Sequence, residues 1–124
     1  MASEHLRHLA EEIMGATKER KVRWAESATG DAFELKFKNG VLVSKTWFDD
    51  EQDLWYGVDL ENPERRVIEE LHAYRRQNDF ELLQELYLVA RGSALDVDVT
   101  IDKILNELGV AESEPKPRDD DGQF

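Results

Sequence analysis

Asp96-Val97-Asp98-Val99-Thr100 has the spacing of an aspartyl nucleophile with a second aspartate two residues on, the arrangement by which some phosphatases take a phosphoryl group onto a carboxylate. That chemistry needs the first aspartate at the end of a buried strand and a magnesium-binding partner far downstream. Here Arg91-Gly92-Ser93-Ala94-Leu95 reads as a helix end, and only 24 residues follow the motif. The two aspartates suit a helix start better, where carboxylates meet the positive end of the dipole. His5, His8 and Glu12 share one side of a predicted helix and could approach a metal ion, but a fourth ligand is missing. His72 has no serine or cysteine pattern to serve. Asp49, Asp50, Glu51 and Asp53 form an acidic turn without the glycine and spacing of a calcium loop. No catalytic residue, metal or cofactor is therefore assigned, and the chain is expected to be non-enzymatic.

Charge narrows the partners. The net charge is −12 and is unevenly spread: residues 49–70 hold nine acidic and two basic side chains, a balance of −7, whereas residues 1–48 hold eight basic and seven acidic. An acidic surface argues against nucleic acid, whose binding depends on lysine and arginine displacing counterions from phosphate. It favours a basic partner. Lys18, Arg20, Lys21 and Arg23 cluster near the start of the sheet and could touch nucleic acid, but beside Glu19 and Glu26 they also read as ordinary surface.

The elements that would position these residues begin with strands. Asp31 to Phe48 alternates on both sides of Asn39-Gly40, a type I′ hairpin signal that sets Leu35 against Ser44 and Glu34 against Lys45. Phe33, Leu35, Phe37 and Leu42 then share one face. Val41, Val43, Lys45 and Trp47 lie on the other. The next strand, Leu54 to Leu60, alternates again. A five-residue loop from Asp49 to Asp53 pairs Phe48 with Leu54 and Trp47 with Trp55, keeping every large aliphatic on the first face. A four-residue loop would flip the strand, so burial favours the longer one. Trp47 and Trp55 then sit side by side, flanked by Val41 and Val43, on a face that already lies opposite a complete apolar set. Surplus aromatics imply a covering helix, a partner or a second copy. Lys36, Lys38 and Lys45 beside them leave stacking on a base or flat ligand as a further option.

Around the strands the pattern is helical. A helix capped by Ser3 runs to about Lys18 with Leu6, Leu9, Ala10, Ile13 and Met14 as its stripe. A strand from Lys21 to Ser27 follows. Asn62-Pro63 opens a second helix with Val67, Ile68, Leu71 and Tyr74, ending near Gln77. Asn78-Asp79-Phe80-Glu81 reads as a capping box for a third, central helix that Gly92 ends. Asp98 caps a fourth, where Ile101, Ile104, Leu105 and Leu108 follow the i, i+3, i+4, i+7 rule and Gly109 closes it. The fold expected is α+β: an N-terminal helix, a four-stranded antiparallel meander and three C-terminal helices, αββββααα. Residues 1–109 form one domain and 110–124 a disordered acidic tail with two prolines. With no cysteine, no long apolar run and a charged N-terminus, cytoplasmic residence is the expectation.

The layout, and especially LLQELYLVARGSALDVDVTIDKILNEL after a short Trp-containing meander, resembles a group of small bacterial α+β proteins with no known activity. The likeness covers most of residues 15–108. It implies the fold and a bacterial or phage origin, and it carries no catalytic residues over. The functional expectation is an inhibitor, immunity or adaptor type of protein. It would bind a protein partner, or itself, through Trp47, Trp55, Val41, Val43 and Lys45 with the turn residues Asp49, Asp50, Glu51 and Asp53. The alternative is an acidic nucleic-acid mimic that blocks a DNA-binding protein. A metal-dependent phosphatase-like enzyme stands last.

Overall fold

The computed structural model describes residues 2–109, with side chains from Glu4 onward. A disordered tail, expected at 110–124, lies outside the described residues. Helix α1 (Ala2–Lys18) is followed by a short strand β1 (Ala25–Glu26), then β2 (Ala32–Phe37), β3 (Gly40–Phe48), β4 (Leu54–Glu61) and β5 (Val67–Tyr74), and then by α2 (Phe80–Ala94) and α3 (Val97–Glu107). The sheet is fully antiparallel in the order β1-β2-β3-β4-β5. The α+β class and the meander are as expected. Among the described residues there are five strands and three helices, because the stretch predicted as a helix after Asn62-Pro63 is strand β5.

That correction has a clear physical origin. Val67, Ile68, Leu71 and Tyr74 fit a helical stripe, but Leu71 and Ala73 against Glu70, His72 and Tyr74 fit an alternating strand equally well. The unpaired edge of β4 decides, since a strand there closes the hydrogen bonds that β4 would otherwise leave open. Asn62 caps a turn instead of a helix. Its Oδ1 accepts from the Glu64 and Arg66 amides at 3.1 and 3.0 Å, and Arg65 takes a left-handed φ of 70°.

The β2–β3 hairpin differs in register by two residues from the expected one. Phe37 pairs with Gly40 and Leu35 with Leu42, so Lys38-Asn39 form the turn and Glu34 faces Val43 rather than Lys45. A shift of two preserves the faces. Neither Asn39 nor Gly40 has positive φ, so the turn is not type I′. Gly40 is required for another reason: a Cβ there would lie 2.7 Å from the Glu61 carbonyl oxygen.

Both long helices pack on one face of the sheet. Leu6, Ala10 and Ile13 of α1 and Leu83, Leu86 and Ala90 of α2 close over Phe33, Leu35, Leu42, Tyr56, Val58, Leu71 and Ala73. Trp24 seals the end of this layer. Its indole N–H donates to Thr17 Oγ1 at 3.0 Å, Thr17 donates on to the Ile13 carbonyl, and the Trp24 amide donates to Ser93 Oγ. At the entry to α2, Asp79 occupies the N-cap but its carboxylate pairs with Arg7 of α1, so the expected Asn78–Glu81 capping box is not used. The helix runs through Gly92 to Ala94.

Candidate functional site

The face of the sheet away from the helices carries Trp47 and Trp55 in direct register, with the five-residue loop that pairing requires. Their rings are stacked, 5.9 Å between centroids and 10° from parallel. Tyr74 of β5 extends the row, 5.1 Å from Trp55. All three are half-buried, and the buried side chains of α1 and α2 belong to the opposite face. A helix over the Trp pair was one expectation; among the described residues none lies there.

Two devices fix the rings. Asp49 Oδ2 accepts the Trp55 indole N–H at 2.8 Å while its Oδ1 accepts the Glu51 and Asp53 amides at 2.8 and 3.0 Å. These bonds, led by that from Trp55, hold the Asp49 carboxyl below its ordinary range. The acidic turn is thus a folded bracket for Trp55, with Asp50 and Glu51 projecting into solvent. Beneath Trp47 the device is an absence. A Cβ on Gly57 would sit 2.5 Å from His72 and 3.0 Å from the Trp47 ring, so both rings lie in the space that glycine leaves. Alternation along Leu54–Leu60 puts Gly57 on this face, and a glycine in mid-strand two residues from Trp55 is the sequence signal that could have found the seat.

Behind the aromatic row lies a charged one. Lys45 Nζ contacts Asp59 Oδ2 at 2.7 Å, His72 Nε2–H donates to Asp59 Oδ1 at 2.9 Å, and Lys45 also stands 5.4 Å from the Trp47 ring centre. Burial pushes the Asp59 carboxyl up, but the bonds from His72 and Lys45 outweigh it and leave the group below its ordinary value. Asp59 and His72 were not among the expected site residues, because the sheet partner of β4 was read as a helix. With Glu70 they bring three potential ligand atoms within 4.8 Å of one another. Lys45 already supplies the positive charge there, so the trio is accounted for as a cross-strand ion cluster.

Further along the same face, Val41 and Val43 are buried with Ala32 and are not open contacts. Arg65 pairs with Glu61 of β4 and Glu34 of β2, at 2.5 and 2.8 Å, and must cross β3 to do so, which roofs the two valines. The open part of the expected site is the end with Trp47, Trp55 and the acidic turn, and Tyr74, which was not expected there, extends it. Two exposed arginines, Arg75 and Arg76, follow Tyr74.

The remaining candidates scatter. His5, His8 and Glu12 are exposed on α1. Asp96 stands at the N-cap of α3 with a left-handed φ of 55°, and Asp98 lies in its first turn rather than at the cap. Their carboxylates pair with Arg23 and Arg20, at 2.7 and 3.2 Å. Lys18 pairs with Glu85 and Lys21 with Glu19, so each cation of the basic cluster meets a carboxylate. A cavity of about 420 Å³ lies between these pairs, floored by Val22, Val89, Val97 and Val99. No helix of the described residues is long and apolar enough to cross a membrane. Comparison with known protein families, curated proteins and solved structures gives no match to this chain.

Proposed function

We propose that this is a small non-enzymatic interaction protein, of the inhibitor, immunity or adaptor type, that grips a protein partner with the Trp47–Trp55–Tyr74 row and the acidic turn. One observation carries the reading: two stacked tryptophans are held half-exposed by a carboxylate bracket and a glycine seat. Side chains ordered before contact lose little entropy on binding, and aromatic anchors of this kind dominate interface energies. Asp50 and Glu51 at the rim suit a partner with lysine or arginine opposite them. The nucleic-acid mimic is the weaker reading, since Glu34 and Glu61 share the charge of Arg65 and Asp59 is paired with Lys45. A bacterial or phage origin and cytoplasmic residence belong to the same proposal.

The test is affinity capture with the full chain and with Trp47→Ser/Trp55→Ser, both checked for unchanged secondary structure. A partner held by the native protein should be lost by the variant, and its binding should weaken as salt rises. Equal capture by both proteins would sink the proposal.

A further inference from the structure

The cavity bordered by α1, α2 and α3 lies on the helix side of the sheet, apart from the aromatic row, and none of the acid-rich residues 49–70 lines it. At about 420 Å³, with a floor of four valines, it has the size and the apolar lining of a small-molecule site. Three of its lining residues are the wrong type for their backbone. Gly92 stands inside α2, where glycine is the poorest residue after proline, yet it takes no left-handed φ and a Cβ there would meet nothing. Arg20 and Asp96 do the reverse, taking left-handed φ of 61° and 55°, the conformation that suits glycine. Local rules broken without a packing gain are kept where a site needs them. Here the gain is in the cavity: the missing side chain at Gly92 leaves room, and a guanidinium and a carboxylate stand at the mouth.

We propose that this cavity binds an aliphatic carboxylate, its chain on the valine floor and its head on Arg20 and Arg23. The sign of the head follows from the groups at the mouth. Lys18, Arg20 and Arg23 outnumber Asp96 and Asp98 in the lining, and Ser93 Oγ accepts the Trp24 amide at 3.0 Å, which leaves its own proton to give. The first amides of α3, on Val97 to Val99, have no side-chain cap. Donors therefore prevail. The pairs Arg23–Asp96 and Arg20–Asp98, at 2.7 and 3.2 Å, are exposed and cost little to open. A carboxylate seated over the valines takes a guanidinium in its planar two-bond geometry and returns the aspartate to water.

Octanoate is the probe, titrated into the full chain by calorimetry with octanol and acetate beside it. One octanoate per chain is expected, with a Kd of about 1 mM or below, and octanol and acetate should bind at least about tenfold more weakly. Gly92→Leu fills the wall and should keep or raise the Tm while weakening octanoate binding about tenfold or more. Arg20→Gln/Arg23→Gln changes exposed side chains that the fold can lose, and should bring octanoate down to the level of octanol. No saturable binding of octanoate, equal binding of octanol, or native affinity in either variant would overturn the proposal.

Discussion

On the helix side of the sheet, Leu42 and Val58 are sealed by aliphatic side chains from α1 and α2, and the Ser44 hydroxyl, buried on the same side, has no protein partner. On the other side, Val41, Val43 and Asp59 are also buried, at 5%, 9% and 5% exposed, without any helix above them. There the cover comes from Arg65 of the β4–β5 turn and from Lys45 and His72 of neighbouring strands, each reaching sideways to a carboxylate. One face is closed by packing and the other by crossed ion pairs. Packing closes the whole of its face, whereas ion pairs close only the places they span, and the aromatic row lies where they stop.

The largest effect should separate the two kinds of closure. Leu42→Ala removes an aliphatic side chain from the helix side and should cost about 2–5 kcal/mol in urea unfolding, while the surviving folded molecules keep their Trp47–Trp55 stack in near-ultraviolet circular dichroism. Gly57→Ala attacks the other face. The added methyl meets His72 and Trp47, and the expected cost of about 1–3 kcal/mol should come with a changed near-ultraviolet signal and weaker partner capture. If its spectrum and capture are native, the glycine seat has no part in holding the rings.

Acid should sharpen the comparison. The Asp59 carboxyl lies below its ordinary 3.8 in the folded protein, so the stability it contributes is complete above that value and is lost as pH falls below it. Asp59→Asn should flatten the fall in stability below pH 3.8, and Leu42→Ala should leave its shape unchanged. A variant curve parallel to the native one would deny the ion cluster its role. Quenching by iodide or acrylamide should reach Trp47 and Trp55 and spare Trp24, which is 1% exposed. Smallest of all, Ser44→Ala should be neutral or raise stability by up to about 1 kcal/mol, because the hydroxyl is buried without a partner.

Much of this was legible in the residues. Alternation through Leu54–Leu60 was enough to place Trp47 against Trp55, because a slip by one residue would have turned Val58 and Tyr56 into solvent. The α1 stripe and the central position of α2 followed from spacing in the same way. Residues 62–77 were not legible. Eight residues are too few to separate a period of 2 from one of 3.6 when a turn and a cap both favour asparagine, and the open edge of β4 that settles the matter is a tertiary fact. That one misreading hid His72 from Asp59, and with it the charged row that underlies the site. The Asn39-Gly40 signal located its hairpin but misled on the register, since Gly40 answers to a carbonyl from β4 and not to its own turn.

The Trp24 clasp has a consequence for how the chain assembles. Each strand of the meander pairs with its immediate successor, so the sheet can form by short loop closures. Helix α1 is translated before all of it, yet its apolar stripe is covered by β5 and α2, and the Trp24 amide is satisfied by Ser93. On a ribosome, Leu6, Ala10 and Ile13 would wait for nearly the whole domain to emerge before finding cover. The earliest helix is therefore among the last pieces to be locked, and its stripe is the surface a chaperone would meet first.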